Sequence, residues 1–273
     1  MVNAGRVLAA YSPCPNDTFV FHAWAHGLVA GAPAIEVTFA DIDVTNTAAA
    51  RGDFDVVKVS YAALPWLLDE YALLPCGGAL GRGCGPLVLT RGDRGSIDGA
   101  TVAVPSERST AYLLFRLWAA GQRPARIEIV PFAQIMPGVR DGRFDAGLVI
   151  HEARFTYPSY GLSALIDLGA WWESDTGLPI PLGAILARRS LDADALSRTI
   201  RTSVEYAWAD PSASADYVAA HADEMAPDVQ QQHIALYVNE FTRDLGDAGY
   251  AAGEALLARA FEAGLTPSNP ALR

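Results

Sequence analysis

Gly142-Arg143-Phe144-Asp145-Ala146 echoes Gly52-Asp53-Phe54-Asp55-Val56 at an offset of 90 residues. Each stretch follows a short helical pattern and opens an apolar run, residues 55–60 in the first case and 146–150 in the second. The surrounding grammar repeats as well. Residues 7–11, 35–40 and 55–60 read as strands, with helices over 17–30, 43–51 and 61–70 between and after them. From Gly99 the series restarts, with strands over 101–104, 127–131 and 146–150 and helices over 110–120 and 133–141. Strand–helix alternation of this kind specifies a parallel α/β sheet, and its recurrence specifies two similar α/β lobes; a solenoid would need three or more repeats. After an irregular stretch, residues 183–188 return as a strand. Alanine-rich amphipathic spacing then predicts helices over 192–209, 212–221, 228–242 and 247–263. A helical tail behind two α/β series implies that the chain crosses back. Residues 1–91 and 188–273 then form a discontinuous first lobe and 92–187 the second, with crossovers near Thr90 and Arg188 hinging over a ligand cleft. Ligands of open α/β sheets sit beyond the carboxyl ends of strands and favour interfaces between domains.

Composition narrows the function. The 273-residue chain is 51% hydrophobic and 19% charged, as a folded globular protein is. Its 20 Lys+Arg against 31 Asp+Glu give a net charge of −11. Nucleic acid is excluded as a partner, since phosphate binding needs a basic face, and no Lys/Arg run suits an anionic membrane. The expected partner is a small molecule; an anionic one would need a locally cationic or N–H-rich site. Nothing in the sequence excludes a homodimer. Cys14, Cys76 and Cys84 form no disulfide framework and no CxxC pair, which fits a reducing cytoplasm. The apolar run at 7–11 is too short for a signal peptide, and no window is long enough for a membrane span. A soluble, cytoplasmic protein is expected.

The strand ends supply the candidate residues. Ser12-Pro13-Cys14-Pro15-Asn16-Asp17-Thr18-Phe19 is either an ordinary turn, with Asn16 or Asp17 capping the next helix, or a rigid loop presenting a helix start to an anion. Cys14 reads as an incidental thiol, because nothing local supplies a base. Lys58 interrupts the apolar run Val56-Val57-Lys58-Val59-Ser60. It either snorkels to the surface or meets a buried partner, and strand alternation puts Ser60 on its face. Ser109 and Thr110 start a helix, where hydroxyls cap and free N–H groups remain. His151 stands just past a strand end. It is a packed histidine or a base whose ordinary pKa of about 6.5 suits proton abstraction. Arg154 follows it as a further cation for a carboxylate. His22 and His26 lie one helical turn apart without a third ligand, so a packed helix face is expected and no metal site; His221 and His233 look unexceptional. The glycines at 77–85 form neither a Walker loop nor a dinucleotide fingerprint and read as close-packing positions near the hinge.

Taken jointly, Ser12–Phe19 with Val20-Phe21-His22-Ala23-Trp24, Lys58-Val59-Ser60, Gly83-Cys84-Gly85-Pro86, Ser109-Thr110 and His151-Glu152 resemble the 1,4-dihydroxy-6-naphthoate synthase family. The match runs from about residue 8 to 188. The resemblance implies a periplasmic-binding-protein-like fold of two lobes around a cleft. It also implies conversion of cyclic dehypoxanthinyl futalosine to 1,4-dihydroxy-6-naphthoate on the futalosine route to menaquinone. The carbon skeleton would be cleaved and the sugar-derived fragment lost as the ring aromatises, as in a lyase that needs no cofactor. The family's proton acceptor maps onto His151. Its substrate contacts map onto Lys58, Val59, Ser60, Ser109 and Thr110. Ser12, Asn16, Asp17 and Arg154 are added here from the residues themselves as carboxylate-side groups. Two other readings stand beside this one: chorismate dehydratase, of the same pathway and fold, and a non-catalytic solute-binding protein.

Overall fold

Both Gly-x-Phe-Asp stretches turn a helix into a strand by the same device. Gly52 and Gly142 stand at φ 73° and 80°, in the left-handed region where a side chain is costly. Three residues on, the Asp55 carboxylate accepts the Leu8 N–H and the Asp145 carboxylate the Thr101 N–H, each at 2.9 Å. Each aspartate thus fastens the start of its own sheet's central strand.

The computed structural model describes residues 6–92, 94–222 and 226–273; the N-terminal reading over 1–5 lies outside them. The first half runs β1 (Arg6–Tyr11), α1 (Pro15–Ala25), β2 (Ala34–Phe39), α2 (Ile42–Arg51), β3 (Val56–Ser60), β4 (Tyr71–Gly81) and β5 (Leu87–Thr90). There follow β6 (Thr101–Val104), α3 (Thr110–Trp118), β7 (Arg126–Ile129), α4 (Ile135–Arg140), β8 (Ala146–Val149), α5 (Ala153–Thr156), β9 (Ser163–Asp167), α6 (Leu168–Thr176) and β10 (Ile180–Arg188). Five helices close the chain: α7 (Ala193–Ala209), α8 (Ala215–His221), α9 (Pro227–Tyr237), α10 (Glu240–Arg243) and α11 (Gly246–Glu262).

Two five-stranded sheets result, ordered β2-β1-β3-β10-β4 and β7-β6-β8-β5-β9. Position by position the two orders correspond. The first three strands of each are parallel and the fourth is antiparallel to the third. The sheets are therefore mixed, where alternation alone suggests parallel ones. The chain passes to the second sheet between Gly81 and Leu87 and returns between Asp167 and Ile180.

The sequence reading misses β4, β5, β9 and α6. β4 carries Pro75, Gly77, Gly78 and Gly81, residues that punctuate a strand pattern, and its pairing with β10 shifts register around Gly183. The helix expected over 61–70 is a short 3-10 helix, Tyr61–Trp66, with Pro65 inside it. The helix expected over 228–242 breaks at Val238, and the Asn239 side chain caps a new one.

Helix α1 is buried on nearly every face. Ser203 of α7 fastens it, donating to the Val20 carbonyl at 2.6 Å and accepting from Trp24 N–H at 3.3 Å. Val7, Phe21, Trp24, Ile200 and Val204 share that core. In the second sheet Leu89, Ala103, Ile135, Val139 and Phe144 form another. Among the described residues no helix is long and apolar enough to cross a membrane.

Candidate active site

The carboxyl ends of β1, β3, β6 and β8 converge on a cavity that opens to solvent. Ser12, Asn16, Lys58 and Ser60 line it from one side, Ser109, Thr110, Ile150 and His151 from the other, with Leu182 and Gly183 on β10 and His233 and Tyr237 on α9. A second, outer groove shares Ile42, Ser109, Ile150 and His151 with it and adds Asp41, Asp43 and Pro131. His151 therefore stands at the junction of an inner cavity and an outer groove.

At the inner end Lys58 is buried and ion-paired with Asp17, which is 0% exposed. Asp17 also accepts from Ser12 Oγ at 2.7 Å, Ser12 N–H at 3.2 Å and Asn16 Nδ2 at 2.8 Å. Of the two readings of Lys58, the buried partner is the one realised. Asp17 itself does not reach the cavity; it anchors the groups that do. Nor do Asn16 and Asp17 cap α1. They lie inside its first turn, behind Cys14 as the capping residue and Pro15 at the first helical position.

Ser60 is fixed by Asn46 of α2, which accepts the Ser60 N–H at 2.8 Å and donates to its hydroxyl at 3.1 Å. Val59, the residue between, turns its side chain into the core and is 0% exposed, so the expectation that it contacts substrate finds no side-chain surface there. Ser109 caps α3, accepting from Tyr112 N–H at 3.1 Å. Thr110 donates to the Leu182 carbonyl at 2.8 Å and accepts from Ala62 N–H at 3.2 Å. With both hydroxyls engaged, what this corner offers a ligand is the α3 N-terminus, whose first N–H groups lack intrahelical partners. Arg154 is absent from the lining. It pairs with Asp167 at 2.6 Å and donates to the Gly85 carbonyl at 2.8 Å, holding the first crossover segment against the end of β9.

His151 is the one non-glycine residue among those described with positive φ, 55°. Left-handed backbone at such a residue costs about 1–3 kcal/mol and persists where the surroundings enforce it, commonly at active sites. Its Nδ1 lies 3.6 Å from Cys14 Sγ. Burial disfavours a charge on the ring, but the negative charge that the Cys14 sulfur can carry, its hydrogen bond and the Glu152 carboxylate outweigh it and push the pKa up to about 9. His233 stacks beside His151, ring centroids 6.3 Å apart, and is 1% exposed with neither nitrogen hydrogen-bonded. Burial first, then the neighbouring His151 and Lys58, push its pKa down to about 3. Sequence reasoning takes Cys14 for an incidental thiol within its loop motif and His233 for an unexceptional histidine. Each acquires its significance by meeting His151. His22 and His26 pack against each other and Tyr217, as a helix face does.

Two mixed sheets of matching strand order, with a cavity at their carboxyl ends, define a protein of the periplasmic-binding-protein-like fold. The chain superposes on the periplasmic aliphatic sulphonate binding protein SsuA of Escherichia coli with a TM-score of 0.70, at 14% identity, covering 99% of this chain and 91% of that one. That likeness concerns fold alone. The sequence goes further. Residues 8–262 match the family model described as menaquinone biosynthesis. A 1,4-dihydroxy-6-naphthoate synthase of Streptomyces coelicolor is 65% identical, over 98% of this chain and 97% of its own. One of Thermus thermophilus is 46% identical, over 95% and 96%. The chain belongs to the menaquinone biosynthesis family.

Proposed function

We propose that the chain is a 1,4-dihydroxy-6-naphthoate synthase, converting cyclic dehypoxanthinyl futalosine to 1,4-dihydroxy-6-naphthoate in the cytoplasm, as a lyase that uses no cofactor, with His151 as the base. The relatives named above support the reaction. The observation that carries the mechanism is the place of His151 between inner cavity and outer groove. A substrate whose carbon skeleton is cleaved there lays its ring-forming, carboxylate-bearing part on one side of the base and its sugar-derived part on the other.

The inner cavity suits the carboxylate. An ammonium has three donors, and Asp17 takes one of those of Lys58. The remaining two, with the α3 N-terminus, are available for an anion. The outer groove, with Asp41 and Asp43, suits the hydroxyls of a sugar and repels a second anion. His151 takes the proton, and cleavage with loss of the sugar-derived fragment follows as the ring becomes aromatic. We further propose that each sheet with its helices moves as a lobe, and that closure over the ligand excludes water and orients the bond to be broken.

The test is turnover of purified protein with cyclic dehypoxanthinyl futalosine and no added cofactor, read by mass spectrometry beside His151→Ala. Dihydroxynaphthoate from the wild type, with a loss of about 10²–10⁴-fold in the variant, is expected. Equal turnover by both removes His151 from its role. Turnover by neither, with the compound still protecting against thermal unfolding, favours a solute-binding protein.

A further inference from the structure

Cys14, His151 and His233 come from three distant parts of the chain, yet one ligand atom of each lies within 4.8 Å of the other two. We propose that these three side chains bind a single zinc-class divalent cation, which switches the site off.

One of the three separations is already that of a metal's ligand pair, and the other two lie within 4.8 Å. Zinc–sulfur and zinc–nitrogen bonds are about 2.3 and 2.0–2.1 Å, so two such ligands at a tetrahedral angle stand about 3.6 Å apart. Cys14 Sγ and His151 Nδ1 are 3.6 Å apart. A second observation is independent of that spacing. His233 is 1% exposed, and both of its ring nitrogens lack a hydrogen-bond partner. Buried polar atoms are nearly always satisfied, and an imidazole carrying one free lone pair into a cavity wall beside a thiol is what a cation would complete. The donor set, one sulfur and two imidazoles, suits zinc and its neighbours and not magnesium or calcium. Lys58 is the nearest opposing charge, and its pairing with Asp17 offsets it; Glu152 adds a negative charge beside His151. His151 and His233 both line the cavity, through which a cation would enter.

Coordination forms bonds from the metal to the Cys14 sulfur and to His151 Nδ1, and whatever protons these two atoms carry in the resting pair leave to solvent. With His151 Nδ1 on the metal, the remaining ring proton sits on Nε2 and no lone pair is left to accept another. The cation and the reaction therefore exclude each other. This second half rests on the reading of His151 as the base; the first does not.

The experiment titrates cobalt(II) into the full-length protein after chelator treatment and follows absorbance. One equivalent is expected to produce a thiolate-to-cobalt charge-transfer band together with intense visible bands of tetrahedral cobalt, both bleached by zinc. Cys14→Ser should lose the charge-transfer band, and His233→Gln should weaken binding by more than about 10-fold; both variants are checked for folding by circular dichroism. Zinc should abolish turnover and a chelator restore it. Absence of the charge-transfer band, or its persistence in Cys14→Ser, overturns the site. The band without inhibition overturns the switch and, separately, the role of His151 as base.

Discussion

His151 and Lys58 illustrate how neighbours redefine a side chain. At its ordinary pKa of about 6.5 a free histidine is mostly neutral at pH 7 and ready to accept a proton. Beside Cys14 it is pushed up to about 9, so the imidazolium predominates in the resting site. Only the deprotonated ring is a base, so kcat/KM of chelator-treated protein should climb with pH until about 9. In Cys14→Ser the largest influence raising that pKa is gone, and the midpoint should move to lower pH. A pH–rate profile that is the same in both proteins would separate the thiol from the base. Lys58 is tested by stability. Its side chain and that of Asp17 are 7% and 0% exposed, and removing one partner of a buried pair costs about 3–5 kcal/mol. Urea unfolding of Lys58→Met should show a loss of that size, partly recovered when Asp17→Asn is added. A loss under about 1 kcal/mol would mean that the pair is solvated, as surface pairs are.

Among the elements, the crossover loop between β4 and β5 is held by backbone against backbone. A Cβ on Gly85 would lie 2.2 Å from the Gly169 nitrogen at the start of α6, whereas one on Gly95 would meet nothing within 4 Å. Gly85→Ala should therefore lower stability by about 1–3 kcal/mol, the usual cost of overpacking, and Gly95→Ala should stay within about 0.5 kcal/mol of the parent. Thermal unfolding of the two variants checks this, and equal melting temperatures would refute the contact. The sequence pointed to close packing at the glycines of 77–85, Gly85 among them, but not to the partner. The strands around them were illegible for the same cause, since proline and glycine erase the alternation by which a strand is recognised. The Gly-x-Phe-Asp echo survived because its signal is local: a left-handed glycine ending a helix and an aspartate beginning a strand three residues later.

At the scale of the whole molecule, a net charge of −11 opposes an anionic substrate. Salt screens that long-range field over about 10 Å at 0.1 M, and buried charges such as Lys58 are screened far less. Raising ionic strength from about 0.02 to 0.2 M should therefore raise kcat/KM, through association and not through kcat. A fall would show that exposed cations steer the substrate. The same division between local and global governs what could be read. The sequence by itself determined the two α/β series, the expectation of a cleft at their strand ends with Lys58, Ser60 and His151 as candidates beside it, and the resemblance carried by those motifs. These follow from periodicity and from neighbours along the chain. Only the tertiary structure decided that Asp17 meets Lys58, that Arg154 turns away to Asp167, and that Cys14 lies against His151, 137 residues distant. Such meetings depend on how helices pack on their own sheet and, for Cys14 and His151, on how the strand ends of one sheet meet those of the other, and no pattern confined to a short stretch of chain records that.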